Sequence, residues 1–232
     1  MKTIAIQQPE HLPWVGFFDK MGKCDEYIFL DNVQFKKRYF ENRNKIRTRE
    51  GWQWITVPVK TKGRYFQRIN EVDIENTENW RRNYLKSIEF NYQKSKYFNP
   101  YFKNLNEIIN RKYALLTELN IGLIEWIREC LNIKTPIKMV SQIRNYTERG
   151  SELILAICKD MNADKYISGP DGRNYLDLDR FKRENIKLVF HDFKHPEYSQ
   201  AYSPFVPFMS TIDFLFNAGR SDKYMDKETL IC

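Results

Sequence analysis

The sequence lacks most of the features that would set it apart from an ordinary globular protein. It has 9 glycines and 9 prolines in 232 residues, which excludes collagen-like and low-complexity architectures. No apolar run approaches the ~18 to 20 residues that a membrane-spanning helix needs. Met1 to Ile6 holds one lysine and a short apolar run before Gln7 and Gln8. That start has neither the long apolar region nor the small-residue cleavage site of a secretory signal, so a cytoplasmic location is expected. The four cysteines, Cys24, Cys130, Cys158 and Cys232, form no Cys-x-x-Cys pair. Free thiols in a reducing compartment, and no metal site, are expected. The Gly-x-Ser-x-Gly elbow and the His-Glu-x-x-His motif are missing, so serine-hydrolase and zinc-peptidase chemistry falls away. Helix-turn-helix, zinc-finger and RNA-recognition signatures are missing too.

What is present is 42% hydrophobic and 15% aromatic residues, enough to bury the core of one domain or of one domain with an insertion. The net charge of +8 is concentrated. Lys36 to Arg68 carries eleven basic residues against Glu41 and Glu50, so that window alone is +9. Such a local excess points to an anionic partner: a nucleotide, a phosphorylated sugar, nucleic acid or a membrane surface.

Along the chain, Thr3 to Gln7 reads as a strand, Pro9 to Pro13 as a turn, Trp14 to about Lys23 as a helix and Glu26 to Asp31 as a second strand. This order describes an α/β unit with parallel strands, and it places the Pro9–Pro13 loop at the carboxyl end of the sheet, where ligands bind in such folds. Trp52 to Val59 and Ile69 to Ile74 read as further strands. Residues 77–132 turn helical, with Trp80, Tyr84, Leu85 and Ile88 on one face and Leu115, Leu119, Leu123, Trp126, Ile127 and Cys130 on another. Strands are then expected at Lys138–Ile143, Lys165–Ser168 and Lys187–Phe190. Helices are expected at Ser151–Met161, Tyr175–Arg183 and Met209–Ala218, the last ended by Gly219. Two glycines and a proline argue against regular structure from Ser168 to Arg173. The expected fold is α/β: a mostly parallel sheet with flanking helices, a β-rich basic segment and a helical insertion. The divisions fall at 1–76, 77–135 and 136–232, the last completing the core of the first.

Few side chains offer chemistry. Of three histidines, His11 lies in the loop at the ligand-facing edge, and His195 lies in the polar loop His195–Gln200. His191, within or just after a strand, is the least favoured. Ser168 to Tyr175 can form an anion cradle with Arg173, or a plain turn into a helix. Phe35–Phe40 and Trp52–Trp54 interleave cations with rings. That pattern suits single-stranded nucleic acid, a nucleotide-sugar pocket or a solvated basic face. Asp31, Asp171 and Asp213 are the acidic candidates for orienting a histidine or accepting a proton.

Several segments together resemble the WbqC-like proteins: Gln7-Gln8-Pro9, Pro13 to Phe18, Asp31 to Phe35, Asn42-Arg43-Asn44, Val57-Pro58-Val59, Tyr166 to Leu176, His195 to Gln200 and Ser210 to Gly219. The resemblance spans nearly the whole chain. It implies a place in bacterial O-antigen or related surface-glycan biosynthesis, with glycyl or other aminoacyl transfer to a sugar. On that reading His195 is the expected base, with Asp171 or Asp213 to orient it and His11 as a further catalytic candidate. The backbone of Gly169–Arg173 supplies donors, while Lys37, Arg38 and Arg43 hold a diphosphate. Gln8, Trp14, Asp31, Asn42, Ser168, Gly169, Arg173, Tyr198 and Gln200 complete the expected ligand contacts. Ile4 to Phe35 and Arg173-Asn174-Tyr175-Leu176 also look organised like segments of pantothenate synthetase, which implies ATP and an acyl adenylate. Only His11 stands for that family's paired histidines. The expected co-substrate is therefore ATP or an activated acyl donor, and the expected partner a nucleotide-linked sugar or another phosphorylated small molecule. The alternatives are a non-catalytic nucleotide-sugar binder and an ATP-using amide ligase.

Overall fold

The computed structural model describes residues 1–77 and 79–220; Cys232 lies outside them. Its centre is a five-stranded sheet of β1 (Thr3–Gln7), β2 (Glu26–Phe29), β5 (Ile137–Met139), β6 (Lys165–Ser168) and β7 (Lys187–Phe190), in the order β5-β2-β1-β6-β7. Every pairing is parallel, with Ile4 opposite Glu26 on one side of β1 and opposite Tyr166 on the other. The central strands carry apolar residues on both faces, as strands covered on both sides do. Alternate residues feed two cores. Ala5, Tyr27, Phe29 and Ile167 pack with α1 (Val15–Gly22) and the helices α2 (Trp80–Tyr92), α3 (Phe98–Asn110), α4 (Leu116–Cys130) and α7 (Thr211–Ala218). Ile4, Ile6, Ile28 and Tyr166 pack with α5 (Gly150–Asp160) and α6 (Leu178–Arg183). The expected α/β fold is what the chain forms.

The basic segment contains an antiparallel hairpin, β3 (Arg43–Thr48) and β4 (Gly51–Thr56). Charged residues at alternate positions disguise β3 in the sequence, yet Asn44 and Ile46 are buried on its inner face. Three expected elements differ. Ile69–Ile74 is not a strand: Glu71 accepts the Arg68 N–H at 2.8 Å and closes a 3₁₀ turn at Ile69–Glu71. Only isolated bridges to Val59 and Leu115 follow. The Lys138–Ile143 strand stops at Met139, because Asp31 captures the Ser141 N–H at 3.0 Å and turns Val140–Gln142 into a second 3₁₀ segment. A third 3₁₀ segment occupies Pro170–Asn174, where no regular structure was expected. Helix α6 begins only at Leu178, where the Asp177 side chain accepts the Arg180 N–H and caps it.

Cys24 and Cys158 are buried and Cys130 partly so, all three as free thiols. Burial pushes Cys24 and Cys158 up to about 12 and Cys130 to about 11, which leaves them unreactive at neutral pH. Among the described residues, no helix is long and apolar enough to cross a membrane.

Candidate functional site

The chain leaves β1 through α1 to form β2 on one side, and much later returns to lay β6 on the other. Ligands bind at such a topological switch point, outside the carboxyl ends of the strands. A cavity of about 470 Å³ opens there. Gln7 and Gln8 at the end of β1, Ser168 and Gly169 at the end of β6, and His191 just past β7 form its sheet side. Trp14, Gly16, Phe17 and Lys20 enter from the start and inner face of α1, and Lys36, Tyr39 and Phe40 from the basic loop.

Helix α1 supplies the chemistry. Its sequence, Val15-Gly16-Phe17-Phe18-Asp19-Lys20-Met21, sets two charges in an apolar run, and both are buried. Lys20 is 3% exposed, and its ammonium donates to Gln7 Oε1. Gln7 in turn donates to Glu10 Oε1 at 2.7 Å. Burial drives the Lys20 ammonium down to about 8, with the Glu10 carboxylate and the Cys24 thiol partly offsetting the shift. Burial raises Glu10, with Gln7 and Lys20 opposing. On the adjacent position, Asp19 Oδ2 meets His191 Nε2 at 2.5 Å and Lys23 Nζ at 2.9 Å. A carboxylate that holds one imidazole nitrogen leaves the other to exchange a proton, and a buried lysine titrating near neutrality can do the same or hold an anion.

Trp14 forms one wall. Its ring folds over Gly16, where an added Cβ would stand 2.2 Å from the indole. The indole also packs edge-on to Phe193 and Phe208. Similarly, a Cβ at Gly172 would stand 2.0 Å from Ser168 Oγ. These two glycines let the flanking segments close on the cavity.

The expected site residues divide. Gln8, Trp14, Ser168, Gly169 and Asp171 line the cavity. Lys37 and Arg38 are exposed on the basic loop, and Lys36 is the cation of that run that reaches the cavity lining. Arg43 lies on β3 with its guanidinium 4.0 Å over the Trp54 ring. Arg173 is exposed, stacked 4.5 Å over Phe190. Asp31 binds Ser141 and Asn70, and Asn42 donates to the Val57 carbonyl at 3.0 Å. The Asp31 and Asn42 contacts tie loops together.

His11 is 0% exposed and lies outside the cavity. Its Nδ1 contacts Asn120 Oδ1 at 3.0 Å, and its Nε2 contacts the Tyr84 hydroxyl at 2.6 Å. Asn120 spends its amide hydrogens on the Pro9 and Glu41 carbonyls, so its oxygen faces the histidine. The ring is therefore a neutral Nδ1–H tautomer with both nitrogens used. Burial lowers it to about 4. Asn44 donates to the His11 and Leu12 carbonyls, and Thr211 to that of Pro13. The Pro9–Pro13 loop is thus fixed from α4, β3 and α7, with Leu12 held at φ 42°.

Asp213, Tyr198 and Gln200 meet in a buried network, which His195 touches only through its ring, stacked on that of Tyr198 at 6.3 Å. Asp213 accepts from the Tyr198 hydroxyl at 2.6 Å, the Tyr92 hydroxyl at 2.8 Å and the Gln200 amide at 2.8 Å. Burial raises the Asp213 carboxyl against these donors. Arg47, buried on β3, donates to the Gln200 side chain and to the Pro204, Tyr202 and Gly51 carbonyls. His195 contacts neither Asp171 nor Asp213. Its Nδ1 lies 2.9 Å from the Pro196 carbonyl, and its ring stacks on Trp14 at 6.2 Å among Phe193, Phe205 and Phe208. Burial lowers its pKa.

Sequence reasoning missed Glu10, Asp19 and Lys20, and ranked His191 last. The available signal was a pair of charges inside an apolar helix whose start borders the carboxyl end of β1. The same end of the sheet receives His191.

Comparison with known proteins agrees with the motifs. The model of the WbqC-like protein family matches residues 8–224. An uncharacterised protein of Mycobacterium tuberculosis (strain ATCC 25618 / H37Rv) is 35% identical over 221 residues, 94% of this chain and 95% of that relative. No solved structure matches. The chain belongs to the WbqC-like protein family.

Proposed function

We propose that this member of the WbqC-like family is a transferase of bacterial surface-glycan (O-antigen type) biosynthesis, moving an aminoacyl (glycyl) or acyl group onto a nucleotide-linked sugar. The observation that carries the reading is the convergence of the Lys20 amine and the Asp19–His191 pair on one cavity at the switch point. In the transfer, the sugar's amine or hydroxyl attacks the carbonyl carbon of an activated acyl donor. His191, its Nε2 held by Asp19, takes the acceptor's proton on Nδ1. The bond to the donor's leaving group breaks, and Lys20 with the Gln7 amide steadies the charge that develops on oxygen. Trp14 and Tyr39 give the sugar or base a face to stack on, and Lys36 meets a phosphate. In this reading the proton-accepting role expected of His195 passes to His191. His195 and Asp213 act at a distance, by holding Trp14 and the loop behind it. The burial of His11 weighs against an adenylate-forming histidine loop of the pantothenate synthetase kind.

Mass spectrometry of ligands retained through purification tests the reading. A nucleotide or nucleotide-linked sugar is expected on the wild-type chain and absent from Lys20→Met. Product analysis with activated acyl donors then separates catalysis from binding. A retained nucleotide sugar with no product from any donor class would leave the non-catalytic binder as the correct account.

A further inference from the structure

Tyr65 and Phe66 stand side by side on the protein surface, 81% and 85% exposed. They follow a turn in which the Arg64 N–H bonds the Thr61 carbonyl at 3.2 Å and Gly63 takes φ 73°. A folded chain hides most large aromatic rings, so two adjacent ones at a loop tip need a partner. Their surroundings give its charge. The basic loop before β3 runs beside this turn, with Gln34 Nε2 donating to the Tyr65 carbonyl at 3.0 Å and the Phe35 N–H to that of Gln67. One loop presents Lys36, Lys37 and Arg38, the other Lys60, Lys62, Arg64 and Arg68; the carboxylates of the first, Asp31 and Glu41, are buried, and the stretch from Val57 to Arg68 has none. Asp73 pairs with Arg64 at 2.6 Å and Lys60 at 4.0 Å, and among the described residues no carboxylate pairs with the other five cations.

We infer that this patch docks the protein onto a bilayer containing anionic lipids, with Tyr65 and Phe66 entering the headgroup region and the cations meeting lipid phosphates. The +9 window resists pairing with a second copy of itself. Paired aromatic and polybasic signals at one surface are the combination that holds a protein at a bilayer. Lys36 and Tyr39 also line the cavity, so docking would bring the cavity to the bilayer surface. The inference concerns the surface alone and stands whatever reaction the cavity performs.

Sedimentation of the full chain with vesicles tests it. Binding to phosphatidylcholine vesicles containing about one-third phosphatidylglycerol is expected, with little on pure phosphatidylcholine and a steep fall as salt is raised. Tyr65→Ser with Phe66→Ser should lower partitioning on the order of tenfold, and Lys62→Gln about fivefold. Circular dichroism would check that these exposed variants stay folded. Failure to sediment with anionic vesicles at low salt would overturn the inference, as would undiminished binding by the double variant. A chain that retains single-stranded oligo(dT) but leaves vesicles in the supernatant would assign the patch to nucleic acid instead.

Discussion

His191 Nε2 lies 2.5 Å from Asp19 Oδ2, joining the residue after the last strand of the sheet to the first helix. The contact crosses the cavity's sheet and helix sides at the level of Lys20. It fixes which imidazole nitrogen is left to serve a ligand.

That geometry predicts a difference between two histidines. His191→Ala should lower turnover roughly 10²- to 10⁴-fold, the range for a positioned acid–base group. His195→Ala should cost much less in turnover while weakening the packing behind Trp14. Steady-state rates with the ligand identified by mass spectrometry would measure both. Full turnover in His191→Ala would remove it from the reaction.

Lys20 should trade stability for function. Its ammonium is held at about 8, against 10.5 for an unperturbed side chain. The unfolded chain binds more protons between these values, so stability rises across that interval as pH increases. Below about 8 the buried charge costs about 3 kcal/mol. Lys20→Met should therefore melt higher than wild type near neutral pH, with the gap closing toward pH 10.5, and should lose the anionic ligand. A gap that stays constant in thermal denaturation at both pH values would contradict this.

Acid should act through His11. Its folded-state value of about 4 lies below the ordinary 6.5, so the unfolded chain takes up the proton first. Stability is then lost as pH falls from 6.5 to 4, by about 3 kcal/mol in all. His11→Phe starts lower, because it strands the Tyr84 hydroxyl and the Asn120 oxygen, but its denaturation midpoint should fall less over the same interval. Urea titrations of both proteins would show whether the slopes differ.

Gly16→Ala tests the cavity wall. The new methyl would stand 2.2 Å from the Trp14 ring, so the indole must swing off Gly16. Overpacking of this kind costs about 1 to 3 kcal/mol. Ligand retention should fall with it, while Gly63→Ala, far from any neighbour, should leave the cavity intact. Calorimetric titration would register the contrast.

The sheet was legible because Ile4–Ile6, Tyr166–Ile167 and Leu188–Phe190 are short apolar runs between clear turn signals. Helices α2 and α4 announced themselves by periodicity. Strand β3 did not, since its Arg43, Lys45 and Arg47 look like a solvated charge run until the hairpin places Arg47 inside. The cavity was legible by location, through Gln8, Trp14 and Gly169. It was not legible by chemistry, because a lysine's pKa depends on what encloses it, and no local pattern states that Lys20 faces inward. The Asp19–His191 contact joins segments 172 positions apart. The expectation for His195 rested on its polar loop, and long-range packing filled that loop's surroundings with aromatic rings.

Strand β1 precedes every other described element, yet one of its edges stays open until β6 is made. Thr3 waits for Lys165 before its second edge is paired, and contacts of such separation form slowly. While the chain is being synthesised, the Lys20 side of the cavity exists without its opposite wall. Ligand affinity should therefore arrive in one step, late, when residues near Ser168 and His191 have left the ribosome, making ligand capture a report of completed folding.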